Sequence, residues 1–430
     1  MNTKNYKKNI SGKLVNRAKG MVKFIPILLP VFIYADSLKS LLDYAQNSNE
    51  LIVSKSIIEE SKKSELKSSK SNYYPTIDIG GFYQRYDEVS PIMPGTTYSG
   101  YAKVGFDIYT GGKKSYTVKQ KSDEHKASQF DFEATKKSIK LAVVQDFYNL
   151  KNLEANLWAL KESSNAVKAQ LDRMQQFYDA QLATSDDVDR LQSAYDKNIY
   201  MIDSTSFAIY SLQKKLELKV GKRINSFDNS TFKKMGDDSS DELDLIKSLR
   251  ATKSSIINAS QTIDSYYYPQ IRIEDTYSLY GYQDKPTAFP IKQLDNQNKI
   301  MVTINMRLID FGAIGESKEA VRLQADAVEQ QILYQTKEQK MNQELSFKRI
   351  KTAELNIKSS RSALKASTSA LKTITEKYNA GIVDNVVYLD ALSSNTEAKS
   401  AYESSLNNLE MSYALYYFYN GKNIEEFLNE

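Results

Sequence analysis

The chain has 430 residues with 58 Lys and Arg against 53 Asp and Glu, one histidine and no cysteine. Without cysteine there is no disulfide, no thiolate metal site and no lipidated N-terminal cysteine. A lone histidine, His125 in Lys/Glu/Ser-rich text, assembles no catalytic constellation, so the composition argues against an enzyme and offers no cofactor or metal site.

Residues 1–35 read as a signal peptide. Seven basic and no acidic residues fall in this segment, and the apolar run Phe24–Ala35 is too short to span a bilayer as a helix. It ends Ile33-Tyr34-Ala35, a fair cleavage site, and Met21 is an alternative start. What remains carries 51 basic against 53 acidic residues, so the overall basic balance gives no reason to expect nucleic acid as a partner.

From residue 36 the text is helical to about Ser71, with Leu38, Leu41, Leu42 and Ala45 at helical spacing, and Pro75 ends it. Strands are predicted at about 76–86 and 98–109. In the second, Ala102, Val104, Phe106 and Ile108 alternate with polar neighbours, giving one apolar face. After Thr110-Gly111-Gly112 helical text runs without Pro or Gly to Ala180, roughly 100 Å at 1.5 Å per residue. Leu150, Leu153, Leu157, Leu160, Val167 and Leu171 follow heptad spacing within it. A turn and a second helix to Val220 follow, and Gly221 closes a first repeat covering 36–221.

A polar segment, 222–241, precedes a second repeat at 242–421 with the same order: a helix ending at Pro269, strands at about 271–282 and 300–309, a helix of nearly 70 residues, a turn, and a last helix. Residues 422–430 are a C-terminal tail. Gly112 and Gly312, Tyr178 and Tyr378, Ala180 and Ala380, and Gly221 and Gly421 each stand 200 positions apart, which marks an internal duplication. Both turns have the pattern of a helix stop followed by a helix start. Gly381 supplies a positive-φ stop, and Asp384 or Asn385 the next N-cap. Asp186 and Asp187 favour a helix N-terminus electrostatically.

Thirteen of the 30 tyrosines cluster about the strands, among them Tyr73, Tyr74, Tyr83, Tyr98, Tyr109 and Tyr268, in the manner of a membrane barrel's aromatic girdles. Four strands with an apolar face cannot close a barrel alone, and lipid tolerates no open edge, so subunits must share one; a dimer supplies eight strands and a trimer twelve.

Tyr74-Pro75 and Tyr268-Pro269, the strand exits Phe106–Gly112 and Met306–Gly312, and the segments Tyr378–Val383 and Val387–Ala391 together resemble the TolC family of outer-membrane channels, the outer membrane efflux proteins. The resemblance covers essentially all of 36–425. It implies a mainly α fold with a membrane β-barrel, in which a homotrimer closes a twelve-stranded barrel in outer-membrane lipid and continues as a twelve-helix α-barrel in the periplasm. It also implies a periplasmic adaptor and an inner-membrane pump of RND or ABC type as partners, in efflux or type I secretion. The helical tip would be an iris gate, with Tyr378 and Asp187 forming an inter-helix link and Asp390 a pore ring. Val387 stands where a second aspartate ring is found, and Val383 where an arginine link is usual. Ala180, Gln181 and Leu182, with Ala380, Gly381 and Ile382, resemble adaptor-docking turns, although Gln181 replaces the expected glycine. A structural coiled-coil protein is the competing reading; it fits the heptads but neither the alternating strands nor the leader.

Overall fold

The computed structural model describes residues 37–88, 91–224, 229–234, 236, 240–285 and 292–429. The leader at 1–35, most of 225–239 and Pro286 and Pro290 of the second hairpin lie outside the described residues.

The elements run α1 (Leu38–Ser48), α2 (Glu50–Ser71), β1 (Thr76–Arg85), β2 (Thr96–Thr110), α3 (Lys113–Asp179), α4 (Ser185–Val220), α5 (Asp244–Asp264), β3 (Gln270–Gln283), β4 (Asn296–Asn305), α6 (Ala313–Asn379) and α7 (Asn385–Tyr419). One expected helix is two. Asn49 interrupts it in extended geometry (φ −71°, ψ 122°), and its side chain accepts from the N–H groups of Leu51 (3.0 Å) and Ile52 (3.2 Å). Its amide donates to the Lys219 carbonyl at 2.8 Å, so a buried tertiary bond holds the break that helical periodicity conceals.

The strands form one antiparallel sheet in the order β1-β2-β3-β4. β4 is displaced from the expected 300–309. Its pairing with β3 ends at Gln270↔Asn305, just after Pro269, so 306–309 have no strand to pair with. At its other end the polar Asn296–Lys299, which carries no alternation, pairs with Leu279–Thr276. Residues opposite one another share a face. The rows Ile77–Val104–Asp275–Ile300, Ile79–Ala102–Tyr277, Phe106–Ile273–Val302 and Tyr83–Tyr98 therefore make one face mainly apolar, with Asp275 as its charged member. Lys103, Asp107, Arg272, Glu274, Ser278 and Gln297 stand on the other. The register slips between Asp107 and Tyr109, which takes Ile108 out of the alternation and brings Tyr109 opposite Ile271.

α3 and α6 each run 67 residues, about 100 Å. The two sequence repeats do not fold as separate bodies: Asp36–Glu430 is one compact unit in which α3 packs on α4, α5 and α7. Apolar burial concentrates at two levels. One cluster, midway along the helices, gathers Leu38, Leu41 and Leu42 of α1, Val143 to Tyr148 of α3, Leu216, Tyr413 and Tyr417. The C-terminal residues belong to this cluster and are no free tail. Ile424 and Leu428 are buried, Phe427 stacks on Tyr417 at 3.8 Å between centroids, and Glu425 pairs with the buried Lys140. The spacing of three apolar residues over five positions drives that docking. The second cluster lies at the helical tip.

Candidate functional site

At the tip, both turns are built from the same hydrogen bonds. Ile382 N–H donates to the Lys377 carbonyl (2.9 Å) and Gly381 N–H to that of Tyr378 (3.0 Å). Leu182 and Gln181 repeat these bonds to Phe177 (2.8 Å) and Tyr178 (2.9 Å). This is the Schellman closure, which places its penultimate residue in the left-handed region. Gly381 sits there at φ 73°, and Gln181 is forced there at φ 60°. A side chain in that region costs about 1 kcal/mol or more. Gln181→Gly is therefore expected to stabilise the first turn by about 1 kcal/mol, read as slower amide exchange at Gln181 and Leu182; unchanged exchange would mean that the turn relaxes elsewhere.

The helices after the turns start differently. Thr184 and Asp187 form a reciprocal capping box at α4, with Thr184 Oγ1 donating to Asp187 Oδ2 at 2.8 Å. At α7 Asp384 alone caps, accepting from Val387 N–H at 3.0 Å, because the position equivalent to Asp187 is Val387. Ala180, Leu182, Ala380 and Ile382 are exposed at the apex, as are Val387 and Asp390 on α7.

Beneath the apex the two hairpins are tied together. Val167, Leu171, Leu191, Tyr378, Tyr388 and Leu392 form the tip core, with Tyr378 stacked on Tyr388 at 4.9 Å. Tyr378 is 9% exposed whereas Tyr178 is 44% exposed, so equivalent positions in the repeats have parted. The Tyr378 hydroxyl is buried without a hydrogen-bond partner among the described residues. Burial raises its pKa; the charge of Arg173 nearby works against that rise and the charge of Asp187 adds to it. Burial likewise raises Tyr388, which Gln170 hydrogen-bonds. Asp187 reaches the second hairpin through Asn385, whose amide donates to the Asp187 carbonyl (3.1 Å) and to Oδ1 (3.3 Å). Arg173 bridges to Asn379. Within one chain the Tyr378 hydroxyl and the Asp187 carboxylate are thus near but unbonded, and Asn385, Arg173 and Tyr388 carry the contacts. Sequence reading placed Asn385 only as a cap; its 200-residue offset from Ser185 was a signal that the two helix starts had diverged.

Among the described residues no three His, Cys, Asp or Glu are grouped to hold a metal, and no helix is long and apolar enough to cross a membrane.

Residues 41–198 match the family model described as outer membrane efflux protein. The whole described fold superposes on solved channels. The Campylobacter jejuni CmeC outer membrane channel gives a TM-score of 0.82 at 15% identity, covering 91% of this chain and 86% of that one. The chain has the TolC-like fold of the outer membrane efflux proteins. A membrane protein from Pseudomonas aeruginosa is similar at TM-score 0.80 and 13% identity, covering 89% of this chain and 93% of its own. The open state of the Neisseria gonorrhoeae MtrE outer membrane channel gives 0.73 at 12%, covering 90% and 89%. No curated protein sequence matches. At such identities the TolC-like relatives share the path of the backbone rather than the residues at the tip.

Proposed function

We propose that this chain is one protomer of a passive trimeric outer-membrane exit duct, gated at its helical tip and serving a tripartite efflux pump or type I secretion system. The observation that carries the reading is the sheet. One of its faces is mainly apolar, interrupted by Asp275 and by Asn296 and Asn298 on β4, and β1 and β4 each have a single neighbour among the described residues, yet it is joined directly to helices about 100 Å long. In lipid such edges must be paired, and pairing β4 of one copy with β1 of the next closes twelve strands with three copies. Tyr83 and Tyr98 lie toward one end of the strands and Tyr74, Tyr109 and Tyr268 at the other, which supports girdles at the two interfaces. The partners would be an adaptor seated on the exposed turns Ala180–Leu182 and Ala380–Ile382 and an inner-membrane pump of RND or ABC type, which supplies the energy. Asp390, exposed on α7, would face the pore. A coiled-coil scaffold without channel activity leaves the exposed apolar sheet unaccounted for.

The reading is tested on detergent-purified protein. A mass of three chains and discrete conductance steps in planar bilayers, blocked by millimolar divalent cations, support a gated duct with Asp390 in the pore. Conductance without block keeps the duct and removes the Asp390 ring; a water-soluble, non-conducting protein overturns the reading.

Tyr378 has a buried hydroxyl without a hydrogen-bond partner among the described residues and feels the charge of Asp187 on the other hairpin, so it is the donor we assign to a link between the two helix pairs. Tyr378→Phe is expected to leave thermal stability within about 1 kcal/mol, since an unbonded hydroxyl contributes little, while raising single-channel conductance. Unchanged conductance would count against the link.

A further inference from the structure

On the polar face of the sheet, at the end nearest the helices, five charges are joined in one chain of contacts. Arg272 lies between two carboxylates: Nη1 donates to Asp107 Oδ1 at 2.7 Å and Nε to Glu274 Oε1 at 2.9 Å. Lys114, in the first turn of α3, pairs with the second oxygen of Asp107 at 3.0 Å, and Lys103 stands 3.8 Å from Glu274. Gly105 lies between Lys103 and Asp107 on the same face of β2. The Arg272 guanidinium occupies the space a Cβ there would take, against backbone rather than side chain. Asp107 and Arg272 are direct cross-strand partners, and Lys114 ties the pair to the helical part. A planar guanidinium can serve two carboxylates at once, which an ammonium cannot do with fixed geometry. The network borders a cavity of about 500 Å³ that also touches Lys113 and Asn305, so it adjoins open space at the foot of the sheet.

Asp78 and Lys299 stand in the Lys103 row on the same face, so four cations against three carboxylates leave one positive charge per chain. We propose that Lys103, Asp107, Lys114, Arg272 and Glu274, with Asp78 and Lys299 beside them, form a charge collar on the inner wall where barrel meets helical tunnel, and that its excess positive charge biases small-ion permeation toward anions there. This rests on the channel reading, because only barrel closure with the apolar face outward puts the collar in the lumen. Three copies carry three excess charges around one ring. Their field reaches about 10 Å into the lumen at 0.1 M salt but only about 3 Å at 1 M, so the bias must fade with salt.

The test is the reversal potential of single channels under a KCl gradient with its concentrated side at about 0.1 M and again at about 1 M, the two ionic strengths chosen from the screening lengths. Arg272→Gln and Lys103→Gln are each expected to shift it toward cation preference at low salt, and Asp107→Asn toward anion preference. Arg272→Lys should keep the wild-type value, and all differences should collapse at high salt. Lys103→Gln removes the same charge without touching the two-carboxylate fork, so the proposal stays testable if Arg272→Gln does not assemble. Conducting variants with the wild-type reversal potential at low salt, or shifts undiminished at high salt, overturn the collar alone. A wild-type protein that does not conduct overturns the channel reading and the collar with it.

Discussion

Ile79→Arg is expected to abolish accumulation of the assembled protein in the outer membrane. Ile79 lies near the middle of β1, is 87% exposed in the isolated chain, and stands in a row with Ala102 and Tyr277 on the apolar face. If that face meets lipid, an arginine there costs about 2–4 kcal/mol at the bilayer midplane. The cost recurs in every copy, so a trimer bears about 6–12 kcal/mol, comparable to the whole stability of an ordinary domain. Gln297→Arg is the control. It sits next to that row in β4 but on the opposite face, where a lumen would hydrate the charge. Membrane fractionation of the two variants distinguishes them: loss of Ile79→Arg with retention of Gln297→Arg is expected, and equal retention would mean that the apolar face is not the lipid face.

The second large effect is expected at the midway core. Tyr417 is 1% exposed, stacks on Phe427 of the C-terminal segment and donates its hydroxyl to the Lys233 carbonyl at 2.9 Å. One side chain thus binds α7, the last residues of the chain and the segment between the repeats. Tyr417→Ala removes a large buried ring and is expected to cost about 3–5 kcal/mol. Tyr417→Phe keeps the ring and loses one buried hydrogen bond, about 1 kcal/mol. Denaturant titration of the detergent-solubilised protein should separate the two by a clear interval. If the two variants are equally destabilised, the hydroxyl rather than the stacking holds this junction.

How much of this was legible in the sequence depends on whether the cause was local. The helix–turn–helix tips were readable because a Schellman closure and an N-cap are set within about seven residues, and Gly381 and Asp384 carry both signals. β2 was readable because a one-sided apolar face imposes period two on its own strand. β4 was misplaced because its first four residues are polar and are strand only by pairing with β3. The break at Asn49 depends on a carbonyl 170 residues away, and the docking of Ile424–Leu428 on contacts with α3 and α7. No periodicity could announce either. The tip divides the same way: its turns and caps are local, whereas the Asn385–Asp187 and Arg173–Asn379 bonds arise only when two hairpins from opposite halves of the chain are docked.

If three copies close a ring as proposed, the parting of Tyr178 and Tyr378, and of Gln181 and Gly381, bears on how that ring can evolve. Were each hairpin a separate chain, every substitution at the tip would be written six times around a six-hairpin circumference. Joining two hairpins in one chain halves the dose, so a change of a given energy alters the closed ring in steps half as large. It also lets one hairpin keep a rigid glycine turn while the other explores sequences that a uniform ring could not survive. Duplication here is a finer tuning screw.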